Sequence, residues 1–152
     1  TWLNKVTLPD AVTIGKNAFG GSSLKNIEAP NVSLVKMLAF SECKELENVN
    51  LPKVSEIGIQ AFHFCSNLQN VLFGTLTKVW TGDENNTDGI FDSIYTKGIS
   101  LTLSSSQSML SLHVNEELNF FWISTDQPYK SSDQYARSKF IGYEFKEIKF
   151  FE

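Results

Sequence analysis

The sequence predicts a solenoid, mainly β or α/β: a stack of coils of about 22 residues, built on a short parallel sheet and closed by an irregular C-terminal cap. Three observations predict it. An apolar strand pattern recurs at a near-constant interval, an Ala-Phe pair keeps step between its copies, and the last third leaves both patterns while staying rich in aromatic residues. The chain has 152 residues, 41% hydrophobic and 20% charged, which suits one folded unit with a core of its own and is too apolar for a disordered segment.

The strand blocks come first in each coil. Leu3, Val6, Leu8 and Pro9 recur as Leu24, Ile27, Ala29 and Pro30, then as Leu46, Val49, Leu51 and Pro52, then as Leu68, Val71 and Phe73 with Gly74 in place of proline. The steps are 21, 22 and 22 residues. Around Val49 and Leu51 the neighbours Asn48 and Asn50 are polar, and this alternation of period two predicts a short half-buried strand. Proline ends it, because it has no N–H for a continuing ladder and its fixed φ suits a turn. One such unit cannot bury its own apolar face. Successive units must stack, with the strands forming a parallel sheet over a continuous core.

Ala18-Phe19, Ala39-Phe40 and Ala61-Phe62 supply the opposite wall. The small residue lets neighbouring coils approach and the ring fills the interior, so Phe19, Phe40 and Phe62 are the expected aromatic spine. The first strand block lacks an Ala-Phe half before it. Either Trp2 caps it or an upstream repeat has been removed.

Beyond Phe73 the repeat loosens. Phe73 to Val79 begins a fourth unit, and Ile90-Phe91 stands in for Ala-Phe if Gly82 to Gly89 is an inserted loop. Ile99, Leu101 and Leu103 alternate as the next strand, and Phe145, Ile148 and Phe150 predict a final one over 145–150. Between Ser104 and Gly142 the pattern lapses, and Ser131 and Gln134 in capping-box spacing ahead of Tyr135-Ala136-Arg137 predict one short helix. A stack needs an atypical terminal unit to cover its last open edge, and this segment fits that task. Residues 1–152 are therefore read as one domain, regular over about 3–80 and irregular over about 81–152, with a separate C-terminal domain as the alternative.

The stretch Ile57-Gly58, Ala61-Phe62, Cys65, Leu68 and Val71 resembles the repeat of BspA-like leucine-rich repeat proteins, and Ala39, Phe40, Cys43, Leu46 and Val49 repeat the match. The first unit keeps Ile14-Gly15 and Ala18-Phe19 but is one residue short, and the second has Val35-Lys36 in place of Ile-Gly. The resemblance covers about residues 3–80 and implies a right-handed leucine-rich repeat stack. It also implies a bacterial surface or secreted protein with a non-enzymatic role in binding or adhesion. The expected location is thus extracellular or at the cell surface, with a signal or lipid anchor removed, since the chain starts at Thr1 without an initiator Met.

Charge narrows the partners. A net charge of −4 leaves no excess of Lys and Arg to neutralise phosphates, which argues against nucleic acid and anionic membrane. No apolar run approaches the ~20 residues that span a bilayer. A protein or a glycan at the cell surface remains, with a structural spacer in a longer surface protein as a third reading; the sequence sets no oligomeric state, and a monomer satisfies it. For a glycan, Trp80, Trp122 or Tyr129 would be the stacking platforms.

Candidate site residues follow from the repeat. Asn26, Asn48 and Asn70 are 22 residues apart and form a column on the exposed sheet face, extended by Glu28, Asn50 and Leu72 two positions on. One reading is a binding strip, the other a ladder of amides that bond to one another and hold the stack together. Cys43 and Cys65 share a repeat position, and a free buried thiol pair is expected, although the strand spacing brings them near disulfide range. No cofactor or metal is expected: only His63 and His113 could join the cysteines, without CxxC or HxxxH spacing. Asp83, Asn85 and Thr87 alternate as in a calcium loop, but Asp88 stands where that loop needs glycine and no glutamate closes it. Asn31-Val32-Ser33 and Asn85-Asn86-Thr87 fit the glycosylation sequon, a motif too short to carry weight. GxSxG, P-loop, GxGxxG and HExxH motifs are missing, and carboxylates such as Asp10 and Glu28 have no fixed separation, so an enzyme is not expected.

Overall fold

A computed structural model describes residues 4–79, 89–92, 94–105 and 143–152, with five strands between 108 and 140. Four coils each carry a longer strand followed by a two-residue one. These are β1 (Lys5–Thr7) and β2 (Thr13–Ile14), β3 (Asn26–Glu28) and β4 (Leu34–Val35), β5 (Asn48–Leu51) and β6 (Glu56–Ile57), and β7 (Asn70–Phe73) and β8 (Lys78–Val79). A 3-10 turn at Thr96–Gly98 leads to β9 (Ser100–Ser104). Then come β10 (Ser108–Met109), β11 (Leu112–Asn115), β12 (Phe120–Ile123), β13 (Gln127–Pro128), β14 (Lys139–Phe140), β15 (Tyr143–Glu144) and β16 (Glu147–Phe151).

The longer strands form one parallel sheet in the order β1-β3-β5-β7-β9-β16, and the repeat sets its register: Val6, Ile27, Val49, Val71, Leu101 and Ile148 lie side by side. The fold is thus a mainly β repeat stack, and the predicted parallel sheet is there. A second sheet is there too, and the sequence reading did not foresee it. The two-residue strands β2, β4, β6 and β8 pair in parallel and are extended by β12 and β11 in antiparallel. Two residues carry no alternation to read. Its inward column, Ile14, Val35, Ile57 and Val79, is nonetheless buried, and Val35 holds its place although Lys36 replaces the glycine that follows in coils one and three.

A third ladder closes each coil on the Ala-Phe side. Phe19 N–H donates to Ala39 O at 2.8 Å, Phe40 N–H to Ala61 O at 2.8 Å, and Phe62 N–H to Ile90 O at 2.9 Å. Ile90-Phe91 therefore does stand in for Ala-Phe. The rings of Phe19 and Phe40 stack at 5.4 Å, those of Phe40 and Phe62 at 5.1 Å, and those of Phe62 and Phe91 at 5.7 Å, so the expected spine runs one coil further.

Its far end is sealed by the C-terminal segment. Tyr143 and Phe145 meet Phe91 edge-on at 5.6 and 5.7 Å. Where another coil would offer a carbonyl to Phe91 N–H, the Tyr143 hydroxyl accepts instead at 3.4 Å and donates in turn to Asp92 at 2.8 Å. The Thr96 hydroxyl bonds Glu144 O at 2.6 Å. The closing strand is Glu147–Phe151 rather than 145–150: Phe145 sits in the core ahead of it, and Phe150 is 36% exposed on the outermost strand of the sheet. The helix expected near 131–137 lies outside the described residues, as do most of the loop at 82–89 and Trp2.

Two turns in each of the first three coils use a left-handed backbone. Asn17, Leu38 and Gln60, each just before the alanine, have φ of 55°, 60° and 50°; Gly21, Glu42 and Phe64, two residues past the phenylalanine, have 71°, 61° and 59°. Only the first coil uses glycine there. Since a left-handed non-glycine residue costs roughly 1–2 kcal/mol and glycine itself forfeits up to ~1 kcal/mol of chain entropy, exposed Glu42→Gly is expected to stabilise the fold by about 0.5–1 kcal/mol. Urea denaturation checks it; an unchanged or lower midpoint refutes the strain.

Candidate functional site

The outer face of the first sheet presents two columns. Lys5, Asn26, Asn48, Asn70, Ser100 and Glu147 form one, and Thr7, Glu28, Asn50, Leu72, Thr102 and Lys149 the other. All six residues singled out from the sequence fall on this face, in the expected register.

The structure separates them chemically. In the first column Asn70 donates to the Asn48 side-chain carbonyl at 2.9 Å, Asn48 donates to Asn26 at 2.6 Å, and Asn26 reaches Asn4 O at 3.4 Å. The amides thus form a continuous ladder across three coils, each bonded to the coil before it. Beyond them Ser100 donates to Glu147 at 2.7 Å, and this bond, followed by Lys149 at 3.1 Å, holds the Glu147 carboxyl below its usual range. The second column is less committed. Glu28 pairs with Lys5 at 3.4 Å, but the exposed Asn50 amide meets no other side chain among the described residues, and Leu72 beside it is only half-buried. Lys5, Asn26, Glu28, Asn48 and Asn50 edge a shallow hollow of about 420 Å³.

Cys43 and Cys65 are free and fully buried, as the repeat suggested. Each thiol donates to the phenylalanine carbonyl one coil back, Cys43 to Phe19 O at 2.9 Å and Cys65 to Phe40 O at 3.0 Å. Ser22 occupies the same place in the first coil, 3.5 Å from the Cys43 sulfur. Hydrogen bonding with Cys43, and then burial, push the Cys65 thiol up and keep it neutral. The thiols act as small core residues that tie off carbonyls, a role a hydroxyl can also fill.

The second sheet carries a groove that the sequence reading missed. Lys16, Lys36, Lys78, Glu56, Met37 and Gly58 are among its lining residues, around a volume of about 350 Å³. The ring of His63 lies against that of Phe64 at 4.0 Å, on the surface side of the turns. Among the described residues no three His, Cys, Asp or Glu side chains gather as metal ligands would, and no helix is long and apolar enough to cross a membrane. Trp80 and Tyr129, and the side chain of Trp122, lie outside the described residues.

Coils that repeat every 22 residues, share one core and expose two sheet faces define a leucine-rich repeat solenoid. The chain belongs to the BspA type leucine-rich repeat family, whose model matches six copies over residues 1–83. Modules of this family are typically non-enzymatic, commonly bind proteins, and are typically found at surfaces or outside the cell. No curated protein and no solved structure matches the chain.

Proposed function

We propose that this protein is a non-enzymatic binding or adhesion module that meets a protein partner at a bacterial cell surface through the outer face of its first sheet. On this reading residues 1–152 act as one domain, with the C-terminal third as its cap. Asn26, Asn48 and Asn70 set the shape of the face, and Glu28, Asn50 and Leu72 make the contacts. The observation that carries it is the division between the columns: one is tied along the stack by its own hydrogen bonds, the other leaves the Asn50 amide open at the edge of a hollow with half-buried Leu72 next to it. A polar group with a half-exposed apolar neighbour on a rigid sheet is the kind of surface protein interfaces use.

The two columns respond to different substitutions. Asn48→Ala removes a donor and an acceptor from the middle of the ladder and is expected to cost about 1–2 kcal/mol of stability, read from thermal unfolding. Asn50→Lys combined with Leu72→Lys is expected to cost at most about 1 kcal/mol of stability, from two like charges side by side, while reducing binding on an array of extracellular proteins and glycans by about tenfold or more. Protein spots that lose signal with this variant support the reading. Binding that survives it, or that falls only on glycans, overturns it.

A further inference from the structure

We infer that the groove on the second sheet is a separate docking site for an extended acidic peptide segment of a partner protein. Its lining is cationic in a protein of net charge −4: three lysines stand against one glutamate. Lys16 and Lys36 are exposed, and among the described residues neither ammonium pairs with a carboxylate. Two unpaired cations over a partly apolar floor favour a ligand that brings carboxylates and small apolar groups together.

The shape points to a linear ligand. The lining is drawn from all four coils, with Lys16 from the first, Lys36 and Met37 from the second, Glu56 and Gly58 from the third, and Lys78 from the fourth. At ~4.8 Å between strands, four coils span about 15 Å, the reach of four or five extended peptide residues. At Gly58 glycine lets neighbouring coils close up beside the groove. Gly15 and Gly58 flank Lys36, one residue past the paired strands, and a Cβ on Gly58 would come within 2.6 Å of Met37 N. Met37 and Leu34 are half-buried on the floor, and methionine adapts its shape to a ligand at little cost. None of the described residues lining the groove is aromatic, which favours a peptide over an anionic glycan that would stack a sugar ring.

This surface lies on the opposite sheet from the column of Asn50 and Leu72, so either site can fail without the other. The test titrates the protein with a labelled peptide of alternating Glu and Leu, with its Gln-for-Glu counterpart and with a sulfated oligosaccharide. The acidic peptide is expected to bind, to weaken as salt rises from 50 to 300 mM, and to lose about tenfold in affinity in the Lys16→Glu, Lys36→Glu double variant. Lys36→Met, which keeps the stem and removes the charge, should give an intermediate loss, and Asn50→Lys with Leu72→Lys should give none. Amide resonances of Met37 and Gly58 should shift on titration. No binding by the acidic peptide, equal binding by the Gln peptide, an undiminished affinity in the double variant, or preference for the oligosaccharide each overturns the inference.

Discussion

Phe62→Ala is expected to cost about 3–5 kcal/mol, the range for emptying the space of a buried phenylalanine, and so to remove much or all of the ~5–15 kcal/mol that keeps a domain folded. The ring is fully buried and is the hub of the spine, stacked on Phe40 and Phe91 and tilted against Phe73 at 5.8 Å. In a stack, stability is approximately the sum of the coils and of the interfaces between them, and this substitution opens two interfaces at once. Phe19→Ala makes the internal comparison. Phe19 is only half-buried and stacks on one ring, so its loss should cost well under half as much. Urea denaturation followed by circular dichroism gives both values. A Phe62→Ala cost below about 1 kcal/mol, or one equal to that of Phe19→Ala, would show that the spine does not carry the stack.

Gly74→Ala is expected to cost about 1–3 kcal/mol, the cost of forcing one extra carbon into a packed site. Gly74 stands where the three earlier coils have proline, and from the sequence it looks like a loosened copy of the motif. In the structure it is buried, and a Cβ would come within 2.7 Å of Pro52 O, 2.8 Å of Val54 O and 3.0 Å of the Lys53 carbonyl carbon. All three are backbone atoms, which cannot swing aside as a side-chain end would. Gly15→Ala is the contrast, with nothing within 4 Å of its added carbon, and should change the unfolding midpoint little. If both alanine variants unfold at the wild-type midpoint, coils three and four do not press together at this point.

Much of the fold was legible because a repeat exposes its own rules. The alternation around Val49 placed the strands, the Ala-Phe pairs placed the spine, and Ile90-Phe91 could be matched across an insertion because large apolar pairs have few other uses at that spacing. The left-handed turns were not legible. Leu38, Gln60, Glu42 and Phe64 are residue types that seldom mark a positive φ, and only Asn17 and Gly21, at the same places in the first coil, hint at it. The candidate face was legible as a column and illegible as chemistry, since a 22-residue spacing brings amides side by side whether they bond to each other or to a partner. The groove was hidden more thoroughly. Lys16, Lys36 and Lys78 hold three different repeat positions, so no comparison of one repeat with the next puts them together.

The sequence by itself determined the period of the stack, the residues that face inward, and the family, because burial demands the same residue types at the same step in every coil. Only the tertiary structure decided how the polar surface is divided. A side chain's period says which face it occupies, while hydrogen bonds and charge pairs depend on distances of a few ångströms between neighbouring coils. Those distances closed the Asn26, Asn48 and Asn70 amides on one another, left Asn50 and Leu72 open, and gathered lysines from different coils around one groove.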